Sequence, residues 1–250
     1  MSPPPRLRVV GPGRAGRSLA TALGRAGWQV VGLLGRDDDV RSAAAAADLV
    51  VIATPDATIE AVARSIDPGP AVVAHLAGSL GLDVLAPHER RAAIHPLVSL
   101  PDAEVGAARL SGAWFAVAGE PIAQRVATDL GGRWFEVADA DRAAYHAAAA
   151  VASNHLVALL GQVERIAASV GAPGEAYVAL AAGALANVAA LGPAAALTGP
   201  VARGDWATVR RHLAALDPAE RPAYLAMAAE ARRLVADDGL PADLEEGLDA

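Results

Sequence analysis

The chain has 250 residues and no cysteine, and its 21 basic residues are all arginine, so it holds no lysine. Disulfides, cysteine nucleophiles, thiolate zinc or iron–sulfur sites, Schiff-base lysines and a P-loop lysine are thereby excluded. A formal net charge of −7 argues against a nucleic-acid binder, whose footprint should be basic.

The length suits one large domain or two smaller ones. Met1–Pro5 reads as a short disordered leader, and no basic leader precedes an apolar run, so a cytoplasmic location is expected. Leu7–Val10 is a β-branched run, followed by glycines and a helical pattern to about Ala26. Gln29–Leu34 reads as a second strand, Asp37–Ala47 as a helix and Asp48–Ala53 as a third strand. Thr54-Pro55-Asp56 ends that strand and starts a helix over Ala57–Ser65, with Asp56 as N-cap. Ala71–Leu76 and Ala92–Ile94 are further strands, and Trp114–Ala118 and Trp134–Val137 flank a helix over Pro121–Leu130. Strand and helix alternating at this spacing predict a doubly wound α/β domain, a parallel sheet with helices on both faces. Past Ala138 the pattern is helical only, which divides the chain into residues 1–138 and an all-helical part, 139–250. Asp141–Val170 forms one long helical segment and Glu175–Leu191 a second. Asp205 caps a third and Asp217 a fourth, which runs to Asp237. Two stretches lack charge for long enough to suggest a membrane span, Ala143–Val163 and Ala176–Ala202. Their polar residues and Gly192-Pro193 favour buried helices of a soluble protein without a membrane partner.

Gly11-Pro12-Gly13-Arg14-Ala15-Gly16 is a G-x-G-x-x-G between a strand and a helix. The first glycine permits the turn, the second admits a pyrophosphate, and the third lets helix and strand pack. A dinucleotide is the expected ligand. The second strand ends at Leu34-Gly35-Arg36 with no acid before Arg36. A guanidinium there suits the 2′-phosphate of NADP, while Asp37 reaching a ribose would favour NAD. Thr54 and Pro55 follow the third strand at the same sheet edge and are candidate cofactor contacts, as are His75 and Gly78 after the fourth. His95 and Ser99 are candidates for substrate contact; a structural role for either histidine is the alternative. His88 lies in a polar loop and reads as solvated. His146 and Asn154 are eight residues apart on a helix, about 80° around it, so both can face one cleft; internal helix–helix hydrogen bonds are the alternative. Thr198 and Arg203 sit in a glycine-marked loop and suit a carboxylate substrate, or a structural cap. His212 reads as structural. No metal site is expected.

Together GPGRAG, HLAGS at His75–Ser79, HPLVS at His95–Ser99, YHAAAAVASN at Tyr145–Asn154 and LTGPVARGD at Leu197–Asp205 resemble one family. It comprises Rossmann-like proteins whose helical C-terminal part is a domain of unknown function. The family looks like a branch of the β-hydroxyacid dehydrogenase and 6-phosphogluconate dehydrogenase group, with pyrroline-carboxylate reductase and ketopantoate reductase nearby. Some of its members are associated with pantothenate synthesis as alternative ketopantoate reductases. The resemblance implies NADPH-dependent reduction of a small oxo acid and a homodimer formed through the helical domain. A non-catalytic NADP(H)-binding regulator and an imine reductase are the alternatives. Relatives usually carry a catalytic lysine on the first helix after the Rossmann domain, with an asparagine four or eight residues on. His146 stands at the lysine's place, with Asn154 eight residues later. The resemblance therefore implies that His146 takes the acid's role and Asn154 orients substrate, with Thr198 and Arg203 recognising a carboxylate.

Overall fold

The computed structural model describes residues 3–236 and 239–245. Met1 and Ser2 of the expected leader, and Asp237 at the end of the expected fourth helix, lie outside them. The chain divides into two compact units, Met1–Ser153 and Asn154–Ala250. The division thus falls within the long helical segment and not at the composition shift near Ala138.

The first unit is built on seven strands: β1 (Arg6–Val10), β2 (Gln29–Leu34), β3 (Leu49–Ile52), β4 (Val72–His75), β5 (Arg91–Pro96), β6 (Trp114–Gly119) and β7 (Arg133–Glu136). They form one sheet in the order β2-β1-β3-β4-β5-β6-β7. Strands β1 to β5 run parallel. The sheet is not wholly parallel as expected, because β6 pairs antiparallel with β5, and β7 then follows β6 in parallel. The turn of direction is local: helix α3 (Ala103–Leu110) intervenes, and Leu97 N–H already bonds the carbonyl of Trp114.

Successive residues of the central strands serve opposite faces, as the period of two requires. On one side Leu7, Val9, Leu49 and Val51 pack with Leu19 and Leu23 of α1 (Arg14–Arg25), Leu110 of α3 and Val126 of α4 (Ile122–Asp129). On the other, Val10, Val50 and Ile52 pack with Ile59 and Ala63 of α2 (Ile59–Ser65), with Ala43, Ala44 and Ala47. Strands covered on both faces read as near-continuous apolar runs, which is what Leu49–Ile52 and Val72–Ala74 show. The expected helix over Asp37–Ala47 is reduced to a single 3₁₀ turn, Arg41–Ala44. Its first residues are spent on turns: Asp38 accepts from Gly35 N–H at 2.7 Å and Asp39 pairs with Arg41. Asp56 does not cap α2 but opens a 3₁₀ turn ahead of it, with no side-chain cap bond.

Helix α5 (Arg142–Ala150) leads into a π turn at Val151–His155 and then α6 (Leu156–Ser169). The regular spacing that set His146 and Asn154 about 80° apart therefore does not hold, because π turns close i to i+5. The second unit continues with α7 (Gly174–Leu191), α8 (Pro193–Ala196), α9 (Pro200–Arg203), α10 (Trp206–Ala215), α11 (Arg221–Arg233) and α12 (Ala242–Glu245). Its small core gathers Val209, Leu225, Ala228, Leu240 and Leu244. Asp205 caps α10 through Thr208 N–H at 3.1 Å, and Asp217 accepts from Ala219 N–H at 2.8 Å, as the sequence predicts. His212 pairs with the Tyr224 hydroxyl at 2.7 Å. Two helical runs, Asp139–Ser169 and Gly174–Leu191, are long and apolar enough to cross a membrane. They are not the buried helices expected: no residue of α7 is buried, and Val178, Leu180, Leu185 and Leu191 are all more than half exposed.

A Cβ on Gly16 would stand 2.3 Å from the Gly11 carbonyl oxygen and 2.9 Å from Val9 Cγ1, whereas one on Gly13 would meet nothing within 4 Å. Gly16→Ala is expected to lower unfolding stability by about 1–3 kcal/mol through overpacking. Gly13→Ala should stay within about 0.5 kcal/mol, as for an ordinary surface change. Denaturant melts of the two variants beside the parent provide the check.

Candidate active site

Because β1 to β5 are parallel, the segments after β1, β3, β4 and β5 emerge at one edge of the sheet, where doubly wound folds bind ligands. The glycine loop occupies the switch point, between β2 on one side of β1 and β3 on the other. Gly11 has φ +94°, and a Cβ there would collide with Thr54 Cγ2 and with the Ala53 backbone. Gly11 N–H bonds the Leu34 carbonyl at 2.8 Å, which holds the end of β2 against the loop. Gly13 precedes α1 with no side-chain cap, so the first-turn amides around Arg14, Ala15 and Gly16 stay available to an anion. Pro12 sits within reach of Gly35, and its carbonyl accepts from Arg17 Nε at 2.7 Å. Arg36 is exposed just beyond that junction. Of the neighbouring acids, Asp38 folds back on Gly35 and Asp39 is held by Arg41. Thr54 places a buried hydroxyl with no hydrogen-bond partner among the described residues beside the loop, and Pro55 is exposed. These residues fit a pyrophosphate on the loop and a phosphate on Arg36.

The ends of β4 and β5 carry the second cluster. His95 Nδ1 meets the Tyr145 hydroxyl at 2.5 Å. The His95 ring packs edge-on against both Tyr145 and His146, with centroids 5.6 and 5.8 Å away. Gly78 lies under both imidazoles: a Cβ there would come 2.5 Å from His146 Cδ2 and 3.0 Å from His95 Nε2. Phe135 of β7 backs Tyr145 at 5.9 Å. Burial, then repulsion from His146, Arg142 and His75, lowers the pKa of His95 to about 4. Burial raises that of Tyr145 to about 12. At neutral pH the phenol is therefore protonated and the imidazole neutral. In the tautomer that carries its proton on Nε2, His95 accepts from Tyr145 O–H at Nδ1 and turns an N–H donor towards Gly78.

His75 is fully buried, with Nε2 donating to the Gly81 carbonyl at 3.2 Å and Nδ1 unpartnered among the described residues. Burial lowers its pKa as well. It pins the turn that carries Gly78. His88 is not solvated as expected: it is 3 % exposed, and its Nε2 bonds the Ala63 carbonyl at 2.9 Å, because its loop folds back on α2. Ser99 stands apart, exposed, with its carbonyl accepting from Arg109. Asn154, Thr198 and Arg203 belong to the second unit, Asn154 in the π turn, Thr198 exposed before α9 and Arg203 exposed at its end.

Three participants escaped the sequence reading: Tyr145 as a hydrogen-bond partner, Phe135 as its support, and Arg142. Arg142 is fully buried at the start of α5, one turn before Tyr145 and His146. The spacing 142, 145, 146 puts all three on one helix face, and that periodicity was the available signal.

Residues 115–231 match a domain of unknown function, DUF2520. No curated protein matches the chain. Among solved structures, a provisionally named NADP oxidoreductase from Bacteroides fragilis is similar at 18% identity and TM-score 0.75, over 92% of this chain and 98% of that one. Protein TM1727 from Thermotoga maritima is similar at 24% identity and TM-score 0.68, over 97% and 98%. A reductive aminase from Aspergillus terreus, in complex with NADPH, cyclohexanone and allyl amine, follows at 16% identity and TM-score 0.61, over 96% and 89%. These likenesses establish the fold: a doubly wound Rossmann-type sheet followed by a helical region.

The histidines make stability pH-dependent. His95, depressed in the folded state from an ordinary 6.5 to about 4, binds its proton more readily when unfolded. Stability therefore falls as pH drops from 6.5 towards 4, by about 3 kcal/mol for this residue. Thermal melts from pH 8 to 4 should show that decline, and His95→Gln should flatten it by a comparable amount.

Proposed function

We propose that the protein is an NADP-dependent oxidoreductase that reduces a small oxo acid of the ketopantoate kind. The observation that carries this reading is the meeting of His95, Tyr145 and His146 over Gly78, at the sheet edge that also holds the open glycine loop. Bound NADPH would supply a hydride. Gly11, Gly13 and Gly16, with the α1 amides, would hold its pyrophosphate, and Arg36 its 2′-phosphate, where a planar guanidinium is well suited. Arg14, Ala15, Thr54 and Pro55 complete that surface.

His146 would deliver a proton to the oxygen of the carbonyl as charge develops there, since the chain has no lysine for the task. His95, neutral and fixed by Tyr145, would donate from Nε2 to the same oxygen or to the substrate beside it. Gly78 keeps the space between the imidazoles clear. Asn154, Thr198 and Arg203 are further candidates for orienting substrate, on the strength of the resemblance. The solved NADP-type relatives support cofactor and reaction class and leave the substrate open.

A second reading is reduction of a C=N bond. It is favoured by the similarity to a reductive aminase and by the absence of lysine, since an iminium arrives already protonated and asks less of an acid. The uncovered apolar surface of α7 supports self-association of the helical unit as a homodimer.

Purified protein should oxidise NADPH when offered a panel of oxo acids that includes ketopantoate. His146→Ala should lower kcat by about 100-fold or more, the usual weight of a positioned acid. Equal turnover by that variant would remove His146 from the mechanism. Cyclic imines in the same assay decide between the two readings, and saturable NADPH binding with no turnover on any of them would favour a regulator. Arg36→Ala should weaken NADPH by about tenfold, the scale of a lost charge-assisted contact, and leave NADH nearly unchanged. Light scattering should return twice the monomer mass, and Leu180→Glu with Leu185→Glu on α7 should return the monomer.

A further inference from the structure

Arg142 has no part in the mechanism above, yet it is the largest fully buried side chain of the described residues. Its Nε forms a long ion pair with Asp139 Oδ1 at 3.4 Å, and Nε, Nη1 and Nη2 have no partner in full hydrogen-bond geometry among the described residues. Asp139 is itself half exposed, and its other oxygen accepts from Leu82 N–H at 2.9 Å. A buried guanidinium with three unsatisfied nitrogens is rare in native proteins, because each buried donor ordinarily finds an acceptor. Its charge is felt by the site, disfavouring protonation of both His75 and His95. Burial, with this smaller contribution from Arg142, favours the neutral form of both histidines, and Arg142 remains as a positive charge of the cluster.

We infer that Arg142 is an anion-binding residue that takes the carboxylate of a 2-oxo acid in a bidentate grip. The inference rests on the oxidoreductase reading for the word "substrate", but not for the binding itself. The fork of a guanidinium matches the two oxygens of a carboxylate. Arg142 and His146 are four residues apart on α5, so their Cβ atoms are about 5–6 Å apart along one face. That separation suits a ligand whose carboxylate is attached directly to the reacting carbonyl carbon: the carboxylate on Arg142, the carbonyl oxygen beneath His146 and His95. The other source of an oxyanion is a cofactor phosphate. The glycine loop and Arg36 already serve phosphates, at strands β1 and β2, whereas Arg142 belongs with the ends of β4 and β5.

The test uses full-length protein loaded with NADP⁺, which offers no hydride, so binding is read without turnover. The probes are 2-oxoisovalerate and 3-methylbutan-2-one, which lacks the carboxylate. Calorimetry should show 2-oxoisovalerate binding to the parent and no binding of the ketone. Arg142→Met should weaken the oxo acid by about 100-fold and Arg142→Lys by about tenfold, reflecting the lost charge and the lost fork. NADP⁺ affinity should change less than twofold. The unliganded Met variant should melt no lower than the parent, which a purely structural arginine would not allow; the Lys variant carries the test if the Met variant does not fold. Unchanged binding of 2-oxoisovalerate by both variants, or no binding by the parent, would overturn the inference. So would a tenfold loss of NADP⁺ affinity, which would give the guanidinium to the cofactor. Carboxylate binding without NADPH oxidation on any substrate would uphold the inference and sink the oxidoreductase reading.

Discussion

The histidine site depends on the absence of a side chain at Gly78. Two imidazoles, one from a strand and one from a helix, approach the same backbone atom closely enough that a single methyl group would strike His146. The turn bearing Gly78 is held in place from beneath by His75, whose Nε2 is tied to Gly81, and laterally by Asp139, which binds Leu82 N–H. A polar residue fully buried for this purpose costs desolvation unless it is hydrogen-bonded. His75 satisfies one nitrogen and leaves the other bare, so its neutral form is the only one the fold tolerates comfortably. The low basicity of His75 and His95 is thus a property of their packing.

The same close approach governs the other half of the edge. Gly16 against Gly11 and Ala53 sets the entry of α1, and Gly11 N–H draws in the end of β2. Arg36 is carried to the rim of the loop by that single backbone bond, and Asp38 is turned away from it by another. Two glycine-dependent contacts, after β1 and after β4 of one parallel array, therefore leave free first-turn amides at one place and bring two imidazoles together at the other.

Much of this was legible in the sequence because it is local. The glycine spacing, the apolar runs of β3 and β4, and the Asp205 and Asp217 caps each follow from a few adjacent residues and were read correctly. What was not legible depends on partners distant in the chain. The reversal of β6 relative to β5 arises from pairing, and Trp114–Ala118 reads the same in either direction. His88 looks like a loop residue until α2 supplies the Ala63 carbonyl. The π turn at Val151–His155 has no composition signal in an alanine-rich helix, and the exposure of α7 contradicts its hydropathy because none of the described residues covers it. Arg142 hid as an ordinary first-turn arginine; only burial reveals that its guanidinium is withdrawn from water with a single long ion pair to Asp139.

The lack of lysine acquires a physical meaning from this arrangement. A lysine on the first helix after the sheet can act at once as charge and as acid, because its pKa is movable when buried. A guanidinium cannot release its proton in a protein, so it can hold an anion but not feed a reaction. In a chain with arginine alone, the two duties must be carried by different side chains. On α5 the two candidate side chains fall one turn apart: Arg142 carries a fixed charge in a buried setting, and His146 places its imidazole against Gly78. His95, its pKa lowered by burial, adds no second cation to the cluster at neutral pH. On the proposed reading, that separation would set the order along the helix in which an oxo acid presents its charged and reacting ends.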